Sequence, residues 1–293
     1  MHHRSLTYKI FLAVNNIFLL LLGLLCLAPL IHILAVSFSS PAAASANIVG
    51  LWPVNFTIDA YMETLGNDNF LRSFYNGVKR TIIGTIVSMS LMTVAAYALS
   101  KEENEFKGRT FYTWFFCSHN ALKCRTNSNV HLSTESRLIN SIWSLILPPA
   151  INAFNLILLL NFFRVSIPKS LAEAAYIDGA GHFRILVSVY LPVAMPAIAT
   201  IALFTMVFHW NSWFDGMIYL TNTANYPLAT FLQTVIVQQD LTQLGVDPEA
   251  LAQLSERTVR SAQIFIGALP ILLVYPFLQR YFVKGIVLGS VKE

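Results

Sequence analysis

Five stretches of the chain are apolar over about twenty residues or more and contain no Asp, Glu, Lys or Arg. They run from Ile10 to Val36, Thr81 to Ser100, Leu138 to Phe163, Ile185 to Phe214 and Ser261 to Gln279. An α-helix rises about 1.5 Å per residue and needs roughly 20 apolar residues to cross about 30 Å of hydrocarbon, so each stretch predicts a transmembrane helix. The first follows Arg4 and Lys9 as a signal peptide would, but it exceeds the about 7 to 15 residues of a signal-peptide core and reads as a retained span.

Composition agrees with that pattern. Hydrophobic residues make up 55% of the 293 and charged residues only 12%, with 21 Phe and a mean hydropathy of +0.58. That exceeds what one soluble core could bury, so lipid must solvate much of the surface, and a water-soluble enzyme is excluded. The net charge of +4 is spread in short clusters between apolar runs rather than on one basic face, which excludes a nucleic-acid binder. The three cysteines, Cys26, Cys117 and Cys124, lack metal-ligand spacing and indicate neither a disulfide framework nor a metal site.

Basic residues near span ends favour the cytoplasm. Arg4 and Lys9 put the N-terminus inside, Lys101, Lys107 and Arg109 the end of the second span, and Arg164, Lys169 and Arg184 the loop at 164–184. Arg280, Lys284 and Lys292 put the C-terminus inside. Loops 37–76 and 215–260 are then extracytoplasmic, and Lys79 and Arg80 sit against the rule at the outer lip of the second span.

This assignment lacks one crossing. It can lie only around 111–137, which begins as FYTWFF and turns into the polar CSHNALKCRTNSNVHLSTESR. Burying Lys123 and Arg125 would cost about 2.5 to 3.5 kcal/mol each, so the written stretch should not span. Two readings follow: a polar loop in a five-span or re-entrant topology, or a frameshifted copy of an apolar third helix. Codons exist that give TMLLNAGLIPTYIYLQSLG in the shifted frame. Sequencing the gene across the codons for Thr110 to Asn140 separates the two.

Seven of the 12 prolines fall inside the apolar stretches, at Pro29, Pro148, Pro149, Pro192, Pro196, Pro270 and Pro276. Each removes a backbone hydrogen bond, which favours a packed bundle that bends. His32 and His209 lie near outer ends and read as packing residues, and no intramembrane carboxylate offers an ion relay. Asn152, Asn155, Trp210 and Asn211 form a candidate solute path, able to hydrogen-bond and stack on a hydroxylated solute. The same residue types also tie helices together and form interfacial belts. No Walker A pattern, HExxH, GxSxG or carboxylate pair is present, so energy for active transport must come from a partner.

The segment SIPKSLAEAAYIDGAGHFRILVSVYLP, Ser166 to Pro192, predicts a short helix between spans. Pro168 suits its start, Ser170 with Glu173 has capping-box spacing, and Gly179 can supply a left-handed exit turn. Leu171, Ala174, Ala175 and Asp178 share one face whose small side chains allow close approach. Taken alone, such a helix could equally lie on the membrane surface.

EAAYIDGAG, followed by Leu191 and Pro192, resembles the EAA loop of ABC importer permeases, with Glu173, Ala174, Ala175 and Gly179 on the core of that motif. AAYALS, FKGR, LINSIWSLILP, HWNSWFDGMIYL and the tail QRYFVKGIVLGSVKE extend the resemblance to the MalG-like carbohydrate permeases over nearly the whole chain. Cys117 to Arg137 departs from it, where the family has its third span.

The resemblance implies an all-α, six-transmembrane-helix permease fold in the bacterial cytoplasmic membrane, with no catalytic residue and no cofactor. It implies a second homologous permease, two ATPase subunits docked on Glu173, Ala174, Ala175, Asp178 and Gly179, and an extracytoplasmic solute-binding protein that delivers carbohydrate. A stand-alone secondary transporter or channel, an integral-membrane enzyme, and a permease for amino acids or peptides are the competing readings.

Overall fold

The structure, a computed structural model, describes residues 6–122, 139–242 and 250–290, with side chains over 7–116, 139–235 and 256–277. Every regular element among these residues is helical, the all-α class expected. The main helices are α1 (Leu6–Ser37), α2 (Asp68–Ser100), α3 (Arg109–Leu122), α4 (Ile142–Ile146), α5 (Ala153–Ser166) and α6 (Lys169–Ile177). They continue as α7 (His182–Val193), α8 (Met195–Asn211), α9 (Phe214–Tyr219), α10 (Leu228–Thr242) and α11 (Ala250–Ser290).

Among the described residues, α1, α2 and the Glu256–Phe277 part of α11 are each long and apolar enough to cross a membrane. The pairs α5–α6 and α7–α8 meet the same criterion only when joined across bends of 76° and 86°. The apolar stretches at 138–163 and 185–214, each read as one proline-bent span, are broken into separate helices. The first is divided into α4 and α5 around Pro148 and Pro149, and α5 starts afresh at Asn152, whose Oδ1 accepts from Asn155 N at 3.2 Å. The second contains a π-helical turn at Leu186–Tyr190 and breaks at Ala194, between Pro192 and Pro196. By contrast, Pro29 in α1 and Pro270 and Pro276 in α11 lie inside continuous helices. The expected third crossing falls on α3 and on residues 123–138, which lie outside the described residues.

The chain divides into two compact units. In unit one (Met1–Leu71 and Val237–Leu269), Ala35 and Val36 at the end of α1 pack on Ala43, Ala44 and Val49, next to a short helix capped by Ser40. Arg257 of α11 donates to the Ala44 carbonyl at 2.8 Å. From Ile10 to Leu27, α1 leaves its large apolar side chains exposed, up to 72% at Leu25, so lipid or another subunit must cover them.

In unit two (Arg72–Ile236 and Pro270–Glu293) a smaller cluster gathers Leu145, Tyr219 and Leu220, and a large apolar core forms where α2, α5, α6, α7 and α8 meet. Met92, Ala96 and Leu99 of α2 pack there with Leu156, Leu159 and Phe163 of α5, and Ala172, Ile185 and Ile201 complete it. Arg80 of α2 has a fully buried side chain paired with Asp215, and its Nη1 donates to the Ser212 carbonyl at 2.8 Å. Asp215 Oδ1 also accepts from Ser212 Oγ at 3.1 Å and Gly216 N at 2.9 Å. Of the two basic residues that broke the orientation rule, Arg80 is thus the cation of a buried ion pair whose desolvation is offset within the protein, while Lys79 is exposed.

Candidate functional site

The loop helix α6 begins at Lys169 with Pro168 as its N-cap, and no side chain caps it. Ser170 lies inside the first turn, so the capping box expected from Ser170 and Glu173 does not form. Proline supplies no side-chain acceptor, and Ser170 lies two residues past the N-cap position. The exit is as expected. Gly179 has φ of +78°, its N–H donates to the Tyr176 carbonyl at 3.0 Å, and Ala180 N donates to the Ala175 carbonyl at 2.9 Å. These two bonds form a Schellman turn, and a glycine takes its left-handed position without a Cβ penalty.

That turn and the buried Ala172 fix which face of α6 is inward. Ala175 and Tyr176 touch the core of unit two, while Glu173, Ala174 and Asp178 are exposed, as is Gly179 in the turn beyond. Ile177 is 87% exposed and Phe183, just beyond the turn, 77%. Of the residues expected to share a docking face, Ala175 is therefore the one turned partly inward.

The inner side of α6 is tied to α2 by an aromatic cage. Lys101, only 9% exposed, places Nζ 4.8 Å from the Tyr97 ring centroid, 5.2 Å from Tyr176 and 5.5 Å from Tyr190. Three faces around one ammonium give a cation–π site that joins α2, α6 and α7. His182 Nδ1 lies 2.7 Å from Tyr176 Oη and 3.3 Å from Tyr97 Oη. Arg164 and Arg109 donate to the carbonyls of Leu99 and Lys101 at 2.7 and 3.0 Å, where cations suit the C-terminal end of α2. Outside the cage, Lys169 pairs with Glu102 and holds its carboxyl below the usual range through a hydrogen bond and its charge.

The four candidate solute-path residues do not form one site. Asn152 and Asn155 line a cavity of about 380 Å³ with Met92 of α2 and with Phe204, Thr205, Phe208 and His209 of α8. Asn152 spends its carbonyl oxygen capping α5, whereas Asn155 is 7% exposed. Trp210 turns instead into a separate apolar cavity of about 200 Å³ beside Val78 and Pro270, edge-on to Phe74 at 5.8 Å. Asn211 lines neither cavity and is exposed.

His209 takes the place expected of those two. It is 1% exposed, its Nε2 lies 3.2 Å from Ser88 Oγ, and its Nδ1 is buried without a hydrogen-bond partner. The ring rests on Gly84, where an added Cβ would come within 2.8 Å of Cε1 and Nε2. Gly84→Ala should therefore displace His209 and cost about 1–3 kcal/mol. A melting midpoint in detergent equal to that of the parent chain would contradict this packing.

Residues 114–288 match the family described as "Binding-protein-dependent transport system inner membrane component". The chain belongs to this family. It is a membrane-embedded permease subunit of the ABC importer class, and ATP hydrolysis resides in other subunits. The permease is 38% identical over 281 residues to the polygalacturonan/rhamnogalacturonan transport system permease protein YtcP of Bacillus subtilis, covering 94% of this chain and 96% of that one. It is 35% identical to protein LplC of the same organism, covering 99% and 97%. Among solved structures, a chain of a bacterial ABC transporter involved in import of the acidic polysaccharide alginate superposes with a TM-score of 0.84. That chain is 32% identical, and the match covers 96% of this permease and all of the other chain.

Sequence reasoning missed three features of the permease: the Lys101 cage, the Arg80–Asp215 pair and the cavity role of His209. Lys101 could have been found as a cation next to the aromatic Tyr97 one helical turn earlier, but Tyr176 and Tyr190 are distant in sequence. Nothing in the local pattern pairs Arg80 with Asp215, 135 residues away.

Proposed function

We propose that the chain is one of two membrane-spanning subunits of an ATP-driven saccharide importer in a bacterial cytoplasmic membrane, with both termini inside. Two ATPase subunits couple to the pair through α6 and its equivalent, and an extracytoplasmic binding protein delivers the saccharide. The substrate assignment is supported by YtcP, described as carrying polygalacturonan and rhamnogalacturonan, and by the alginate importer. The cavity lined by Asn155 and His209 is this subunit's contribution to the path.

The observation that carries the coupling role is the division of α6 into two faces. Its inner face is held by Ala172 and the Lys101 cage, while Ile177, Ala174, Glu173 and Asp178 point outward. A surface of small, apolar and acidic groups on a rigidly anchored helix suits a partner that must push and pull on it. Movement of α6 then passes through Tyr176 and Lys101 into α2 and α7, whose continuation beyond the 86° bend is the cavity-lining α8.

Proteoliposomes holding both permeases and the ATPase subunits, with binding protein outside and ATP trapped inside, should accumulate labelled oligosaccharide. Flux by this chain alone without ATP would overturn the reading. Within that assay, Lys101→Met keeps the side-chain stem and removes the charge. Three cation–π contacts at about 0.5–1 kcal/mol each make the expected loss about tenfold to a hundredfold in saccharide moved per ATP hydrolysed. An unchanged ratio would remove the cage from the transmission route.

A further inference from the structure

A third cavity, in unit two, differs chemically from the two already described. It measures about 270 Å³ and is lined chiefly by polar groups, among them Asn76, Lys79, Arg80, Asn140, Ser141 and Asn225. Lys79 and Arg80 lie on α2 roughly twenty residues before Lys101, which at about 1.5 Å per residue is about 30 Å, the thickness of the hydrocarbon layer. The pocket is thus at the opposite membrane face from α6.

Its charge is unbalanced. Arg80 is already neutralised by Asp215, so the pocket keeps the single positive charge of Lys79, which has no hydrogen bond or ion pair among the described residues. Arg80, fully buried, keeps one further donor, Nε, without a partner. Around these cations the pocket is ready for hydroxyl groups. Asn76 uses its amide nitrogen on the Ala224 and Tyr226 carbonyls, which leaves its oxygen available, and Asn225 adds an uncommitted amide. Cationic donors beside neutral amides match a ring that carries both a carboxylate and hydroxyls. The volume, just under the about 300 Å³ at which small-molecule sites begin, suits one such ring.

We propose that this pocket receives the carboxylate of an acidic saccharide as it enters from the extracytoplasmic side, with Lys79 as its counter-ion and the residue that sets specificity for uronate-containing substrates. The inference rests on the saccharide-importer reading above. A protein carboxylate from the docked binding protein would satisfy Lys79 alone, but would leave Asn76 and Asn225 without a function.

The test uses the complete importer in proteoliposomes and two pairs of trisaccharides: trigalacturonate against galactotriose, and trimannuronate against mannotriose. Lys79→Gln should raise the half-saturating concentration of the transported acidic trisaccharide about tenfold and leave a neutral one unchanged, and Lys79→Arg should restore the parent value. Equal effects on acidic and neutral sugars, or no effect on either, would overturn the assignment. So would an increase in the concentration of unloaded binding protein needed to stimulate ATP hydrolysis in Lys79→Gln, because the carboxylate would then belong to that protein. If the parent importer moves only neutral sugars, the pocket assignment fails and the importer reading stands. If it moves no saccharide with ATP, both fail.

Discussion

Asp215→Ala should destabilise the permease by about 3–5 kcal/mol, more than any other single polar substitution considered. The side chain of Arg80 has no exposure, and its guanidinium is held by Asp215 and one carbonyl. Removing the carboxylate strands that charge where water cannot reach it, and also removes the oxygen that accepts from Ser212 Oγ and Gly216 N at the start of α9. At the usual few degrees per kcal/mol for a chain of this size, the melting midpoint in detergent should fall by about 10 °C. Asp215→Asn keeps an acceptor for the Ser212 and Gly216 bonds and should fall between the two. Joint replacement, Arg80→Met with Asp215→Leu, removes both charges and should restore most of the lost stability, because a buried pair adds little net stability over apolar groups of similar size. If the double replacement melts as low as Asp215→Ala, the damage comes from lost packing and the ion-pair account is wrong.

Gly179→Leu should abolish ATP-driven uptake while leaving the amount of chain in the membrane unchanged. At φ of +78° a residue with a Cβ costs roughly 1–2 kcal/mol, and the Schellman bonds of Gly179 and Ala180 set the direction in which the chain leaves α6. No atom lies within 4 Å of an added Cβ, so the effect is one of backbone conformation and not of collision. Asn, which tolerates the left-handed region, should therefore retain much more uptake than Leu. Glu173→Lys tests the outward face separately. Glu173 caps nothing within the helix, so its charge is available to a partner, and reversing it should weaken ATPase binding without altering the fold. Unimpaired uptake in both Gly179→Leu and Glu173→Lys would remove α6 from the coupling route.

The two experiments probe elements anchored at opposite ends of α2. α2 carries Arg80 in its first half and is followed directly by Lys101, so the ion pair and the cage hang on one rod about 30 Å apart. Among the described helices the prolines decide where movement is possible. Pro29, Pro270 and Pro276 are absorbed into continuous helices, whereas Pro148–Pro149 and Pro192–Pro196 flank true breaks. The difference is legible in part. After Pro148 and Pro149, Asn152 offers a capping side chain that restarts a helix, a stop-and-start signal, while no such residue follows Pro270 or Pro276 at once.

The sequence by itself determined the membrane class, the all-α architecture and the family. Lipid solvation is a constraint on each residue in turn, so apolar runs without charge identify helices before any contact is known. Gly179 was equally legible, because its role depends on its own φ and its immediate neighbours. The tertiary structure alone decided what faces what. Asn152 and Asn155 share a cavity with His209, while Trp210, one residue further along α8, points to another because successive residues on a helix differ by about 100°. Arg80 with Asp215, and Lys101 with Tyr176 and Tyr190, are brought together by helix rotation and depth, which depend on the packing of whole helices. Local hydrophobic pattern carries no information about either.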